Sequence, residues 1–196
     1  MSKIIRASIL GATALGLVLS LGAVSSTTTL AKMDEKTTMV GGAEMFPTKN
    51  IIENAVNSKD HTTLVAAVKA AGLVETLSGK GPFTVFAPVN AAFEKLPKDT
   101  VPTLLKPENK GALSGILTYH VVAGKLSAED LAAKAKEMGG KVELKTVAGG
   151  TITLMGDDKG GWLVVDAKGG KAKITIADVN QSNGVIHVID SVLLPN

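Results

Sequence analysis

The chain is predicted to be an α+β domain, and three observations carry that prediction. Apolar residues recur at helical spacing between residues 50 and 72, and again between 108 and 138. From Lys141 onward the spacing shortens to two, the period of a half-buried strand. Glycine pairs punctuate that second run at Gly149-Gly150, Gly160-Gly161 and Gly169-Gly170, where hairpin turns are expected. Helices come first and strands mostly later, the order of a domain with helices packed on an antiparallel sheet. Nothing repeats internally, and no second domain is indicated.

Each element follows from a local pattern. Residues 50–56 read as a short helix. Asp60 is placed to cap a second one, whose Leu64, Val65, Val68 and Ala71 share a face and whose stop is Gly72. "GPFTVFAP" is a β-branched and aromatic run between Gly81-Pro82 and Pro88, hence a strand. "NAAFEKLP" gives one or two helical turns ended before Pro97. Leu113, Ile116 and Leu117 then form a helical face that runs into "YHVV". Ser127 with Asp130 three residues on marks a helix start; Leu131, Ala135 and Met138 line its inner face and Gly139-Gly140 ends it. "KVELKTV", "TITLMGD", "GWLVVDA" and "KAKITIADV" alternate as a meander, and "NGVIHVIDSVLLPN" closes the chain behind the turn pair Asn183-Gly184.

The beginning of the chain has a different character. Lys3 and Arg6 precede an apolar stretch from Ala7 to Val24, and Thr29-Leu30-Ala31 is a small-x-small cleavage site. Residues 1–31 are therefore expected to be a signal peptide, with cleavage after Ala23 as the alternative. Gly11, Thr13, Gly16 and Ser20 weaken the stretch as a spanning helix, so the mature chain is expected to carry no membrane span. Residues 32–47, rich in Thr, Gly and Lys, read as a flexible arm, and 48–196 as the folded domain. The product is exported on this reading, whether periplasmic, surface-held or secreted. With no cysteine, a lipid-modified cysteine and a disulfide framework are both excluded.

Composition narrows the function. The chain has 21 basic and 18 acidic side chains, and removing Lys3 and Arg6 with the leader leaves 19 against 18. A near-neutral balance with one Trp and one Tyr lacks the clustered cations and stacking rings of a nucleic-acid surface. The three histidines, His61, His120 and His187, form neither H-x-x-x-H nor H-x-H, so zinc chemistry has no local ligand set. His61 sits at a helix start, where a polar side chain is ordinary. There is no G-x-S-x-G elbow, no flanked S-x-x-K and no phosphate loop; the glycine pairs separate strands instead of leading a strand into a helix. No enzyme and no cofactor are indicated. Trp162 follows Gly161 at a strand start, where it serves packing better than a lone carbohydrate platform.

His187 tests this reading. In a regular strand Val185, His187, Ile189 and Ser191 share one face, while Ile186, Val188, Asp190 and Val192 share the other. His187 and Asp190 therefore cannot form a local dyad. Two apolar faces mean a strand covered on both sides, so His187 is expected to be a buried, neutral, hydrogen-bonded core residue.

"GPFTVFAPVNAAFEKLP", "LTYHVVAGKL" and "NGVIHVIDSVLLP", in this order, resemble the first box, the Tyr-His motif and the second box of fasciclin (FAS1) domains. The hairpin "TVAGGTITL" falls between them as in that family. The resemblance covers about Met45 to Asn196 and is similar to small secreted single-domain bacterial members. It implies a β-wedge of antiparallel strands packed with helices, adhesion or extracellular binding, and no cofactor. The adhesive positions it implies are Tyr119 and His120, then Asp178 followed by Val179 where animal members carry Asp-Ile. The apolar pattern puts Leu117, Val121 and Val122 inside, with the Tyr119 ring buried and its hydroxyl paired. His120 is then expected at the rim, with it and Asp178 as the contact residues. The partner expected is an extracellular protein or polysaccharide; the alternative is a carrier for a small lipid or carbohydrate.

Overall fold

The computed structural model describes residues 37–157 and 160–195. The expected leader, residues 1–31, lies outside them. Of the flexible arm expected over 32–47, the described part, 37–47, holds a hairpin instead. Strands β1 (Thr38–Val40) and β2 (Ala43–Met45) pair antiparallel across Gly41 and Gly42, whose φ values are 59° and 75°. A two-residue turn with both residues left-handed suits Gly-Gly and matches the twist of a hairpin. Val40 and Met45 point inward and join the core. Strands of three residues are too short to display a period, so the glycine pair was the only local sign.

Helix α1 (Ile51–Ala55) begins with a reciprocal capping box: Glu53 N–H donates to Asn50 Oδ1 at 2.9 Å and Asn50 N–H to Glu53 Oε2 at 2.9 Å. Helix α2 (Thr62–Ala71) follows a 3₁₀ turn at Lys59–His61 and ends on Gly72 at φ 73°, as its pattern required. Asp60 does not cap it. The cap arrives from a distant segment, as Thr63 N–H donates to Asn90 Oδ1 at 3.0 Å. Asn90 opens α4 (Asn90–Glu94), which follows the single-turn helix α3 (Val74–Ser78) and strand β3 (Phe83–Pro88). Helix α5 (Thr100–Leu104) is likewise a single turn. Helix α6 (Lys110–Tyr119) runs into β4 (Val121–Ala123). Helix α7 (Ala128–Glu137) starts at the expected Ser127 and Asp130 capping box. Leu131 and Ala135 are buried there, but Met138 lies past the last turn and is 61% exposed, against the inner position expected for it.

Strands β5 (Lys141–Lys145), β6 (Thr151–Gly156), β7 (Trp162–Val165), β8 (Lys171–Gln181) and β9 (Gly184–Ile189) follow. The sheet order is β4-β3-β9-β8-β7-β6-β5. All pairs are antiparallel except β3 with β9, which run parallel from Phe83 opposite Gly184 to Pro88 opposite Ile189. A parallel pair needs a long crossover, and here the chain between Pro88 and Gly184 supplies it. A bridge between Val122 and Thr146 brings the two edges together, so the sheet is barrel-like. The observed fold is thus the expected α+β class, with a mixed sheet in place of a purely antiparallel one.

Two cores occupy the two sides of this sheet. Helices α1, α2, α3 and α6 cover Val85, Ala87, Val179, Ile186 and Val188. Phe86, Leu131, Ile152, Leu154, Val164 and Ile189 fill the other, with Trp162 packed against them. Every residue of β9 is buried, the doubly covered strand its apolar faces predict.

Candidate functional site

The Tyr-His segment lies where α6 hands over to β4, and both side chains turn inward. Tyr119 is 1% exposed. Its hydroxyl donates to the Thr151 carbonyl at 2.7 Å and accepts from the Ala167 N–H at 3.0 Å. The phenol therefore ties the start of β6 to the turn between β7 and β8. Burial raises its pKa above the ordinary phenol value, partly opposed by the Ala167 N–H. Gly150 lies flat against the ring; a Cβ there would meet Tyr119 Cε2 at 2.7 Å, closer than carbon atoms pack. The expected buried ring and paired hydroxyl are both present.

His120 departs from expectation. Instead of standing at the rim, it is 3% exposed. Its Nδ1–H donates to the Ile116 carbonyl at 2.8 Å, and its Nε2 accepts the Leu193 N–H at 2.9 Å. Both nitrogens are spent and the neutral tautomer is set by these partners. Burial lowers its pKa to about 4, against the opposing pull of the Ile116 carbonyl and Asp166. The cover comes from the C-terminal segment: Leu193 is buried, and the next amide, Leu194 N–H, donates to Asp166 Oδ2 at 3.0 Å. Asp166 Oδ1 also accepts the Lys168 and Gly170 N–H groups at 3.0 and 2.7 Å, closing its turn. Asp166 escaped the sequence reading, although an Asp ahead of Gly169-Gly170 is an Asx-turn signal.

Asp178 and Val179 stand at an irregularity of β8, where the register against β9 shifts twice between Ile174 and Val179. Val179 is 1% exposed and belongs to the first core. Asp178 is half-buried and left-handed at φ 57°, unusual for a residue with a Cβ. Its Oδ1 accepts the Ala128 N–H at 2.7 Å, holding the first turn of α7. Of the four adhesive positions, Tyr119, His120 and Val179 are thus interior, and only Asp178 reaches the surface. Of these placements, the rim position expected for His120 is the one corrected. The pattern flagged Tyr119 as interior; His120 was missed because its cover lies 73 residues away.

His187 meets its expectation. Nε2–H donates to the Leu126 carbonyl at 2.9 Å, Asp178 N–H donates to Nδ1 at 3.3 Å, and the ring stacks on Phe86 with centroids 5.6 Å apart. Burial lowers its pKa. Asn183 does more than turn the chain. Its Oδ1 accepts the Ile51 N–H at 3.1 Å while Nδ2 donates to the Leu77 and Gly79 carbonyls at 2.8 and 3.0 Å. Gly184 packs directly against the Phe83 carbonyl, leaving no space for a Cβ. His61, expected as an ordinary polar residue at a helix start, is buried instead. Its Nδ1 lies 2.9 Å from Ser58 Oγ and its Nε2 has no hydrogen-bond partner. Burial lowers its pKa, with the Ala87 backbone and Asp60 opposing.

These features hold elements of the fold together. Among the described residues no group of three His, Asp or Glu side chains could hold a metal ion. The first core encloses a cavity of ≈40 Å³, lined by Val40, Met45, Ile51, Leu64, Ile186 and His61 among others.

The description "Fasciclin domain" matches residues 59–195. The chain belongs to the fasciclin family. It is 47% identical over 171 residues to Protein sll1483 of Synechocystis, covering 86% of this chain and 87% of that protein. It is 36% identical over 148 residues to the cell surface glycolipoprotein MPB83 of Mycobacterium bovis, covering 72% of this chain and 58% of the relative. Its fold is similar to a FAS1 domain pair from the insect cell adhesion molecule fasciclin I, with a TM-score of 0.67 and 21% identity. That match covers 76% of this chain and 52% of the pair. Within the fasciclin fold, the Tyr-His motif therefore clamps β6, the β7–β8 turn and the C-terminal segment around one sheet, and Asp178 holds α7.

Proposed function

We propose that this fasciclin domain is an exported, non-catalytic adhesion module that binds an extracellular protein or polysaccharide. The observation that carries the proposal is a family membership joined to a filled interior. A relative is named a cell surface glycolipoprotein, and a protein of like fold is named a cell adhesion molecule. A carrier of a lipid or sugar would hold an enclosed space of roughly 300 Å³ or more, whereas the enclosed apolar cavity here is ≈40 Å³. Residues 1–31 act as the export leader on this reading. Among the described residues no helix is long and apolar enough to cross a membrane.

Two measurements test the proposal. N-terminal sequencing of protein recovered outside the cytoplasm should begin near Lys32, or near Val24 for the earlier site; an intact Met1 would overturn the leader. Immobilised protein should retain surface polysaccharide or matrix protein from the producing cell's environment. Stoichiometric lipid in organic extracts of the purified protein, with no adhesive retention, would overturn the module in favour of a carrier.

A further inference from the structure

With its core filled, the recognition capacity of the molecule lies outside, and the surface is not uniform. Two hollows of ≈570 and ≈720 Å³ meet at the tip of the β8–β9 hairpin, sharing Lys125, Gln181 and Ser182. The first runs beneath the loop carrying Lys80 and Pro82; the second passes Asp178 and Asn180 to Thr38 and Pro47. Three parts of the fold, otherwise distant in sequence, converge here. Their volumes suit a ligand, whereas the core cavity does not.

We propose that this groove binds a uronate-bearing polysaccharide, so that the anionic glycan is the partner of the adhesion module; the inference rests on the proposed adhesive function. Lys80 and Lys125 are exposed, and neither forms an ion pair or hydrogen bond among the described residues. Two ammonium groups over one groove favour a chain that repeats carboxylates. The lining also offers hydroxyls and amides, from Ser182 in both hollows and from Asn180 and Thr38 in the second, the groups that pair with sugar hydroxyls. Asp178 is the one acid in the lining, and its Oδ1 is already held by Ala128 N–H, leaving Oδ2 to accept a sugar hydroxyl. A peptide fits this surface poorly. Peptide affinity concentrates in buried aromatic or aliphatic anchors, and the apolar lining amounts to Pro47, Pro82 and Ala177 beside glycines. Among the described residues no aromatic ring lines either hollow, so a neutral glucan finds no stacking platform there.

Calorimetric titration of the purified protein with oligogalacturonate, dextran and poly-glutamate decides the matter. Oligogalacturonate should bind with an affinity that falls as salt rises, and dextran should give no signal. The double variant Lys80→Gln/Lys125→Gln should bind oligogalacturonate about tenfold more weakly, as expected for two screened contacts, with an unchanged urea midpoint. No binding by the parent, undiminished binding by the double variant, or equal binding of poly-glutamate would each overturn the proposal. The same variant in the retention assay separates the two readings. Lost uronate binding with full retention overturns the groove as the adhesive site and leaves the adhesion module standing. Failure of the parent to adhere to any extracellular material removes the module itself.

Discussion

Lowering the pH from neutrality is expected to destabilise the protein through its buried histidines, His120 among them. The folded ring donates to Ile116 and accepts from Leu193 while buried, so a second proton would break the Leu193 bond and place a charge in the interior. In the unfolded chain that proton binds near pH 6.5; in the folded protein it is resisted to about pH 4. Within this window the unfolded state holds more protons, so stability falls as pH falls. The contribution is complete above pH 6.5, is lost on the way to pH 4, and amounts to about 3 kcal/mol. His61 and His187 are lowered for the same reason and act in the same direction. The lowered carboxylates Asp130 and Asp190 lose their contribution only below their ordinary value of 3.8, so the window belongs to the imidazoles. Urea unfolding at a series of pH values measures the slope, with His120→Gln as the control. Constant unfolding free energy across the window would refute the reasoning, as would a His120→Gln variant retaining the parent's full slope.

Replacing His187 by Ala should cost about 2–4 kcal/mol, because the Leu126 carbonyl and Asp178 N–H lose a buried partner and Phe86 its stacked ring; an unchanged urea midpoint with abolished binding would make the residue functional instead. Tyr119→Phe should lower stability by about 1–2 kcal/mol, since one hydroxyl serves both Thr151 and Ala167. Loss of adhesion by that variant at unchanged stability would show a contact surface. Asp178→Ala should cost about 1–2 kcal/mol by freeing the Ala128 N–H and leaving Ala in a left-handed position. Asp178→Asn should recover most of this, because Asn tolerates that backbone and still accepts a hydrogen bond; equal midpoints for the two variants would exclude the clamp.

Much of the site was legible because its signals are local. The helix start at Ser127 and Asp130, the stop at Gly72 and the glycine turns of the meander involve groups within a few residues of one another. Apolar residues on both faces marked β9 as covered on both sides and so made His187 interior, and the apolar neighbours of Tyr119 did the same for its ring. The remaining decisions needed partners remote in the chain. Asn90 replaces Asp60 as the cap of α2, and Leu193 encloses His120. β3 finds β9 as a parallel neighbour, and the shifted register of β8 turns Asp178 onto the start of α7. Periodicity reports which face of an element is apolar, because burying that face drives folding. It carries no record of which distant amide or carbonyl will satisfy a polar group there, and that pairing made His120 structural and left the groove beside Lys80 and Lys125 open.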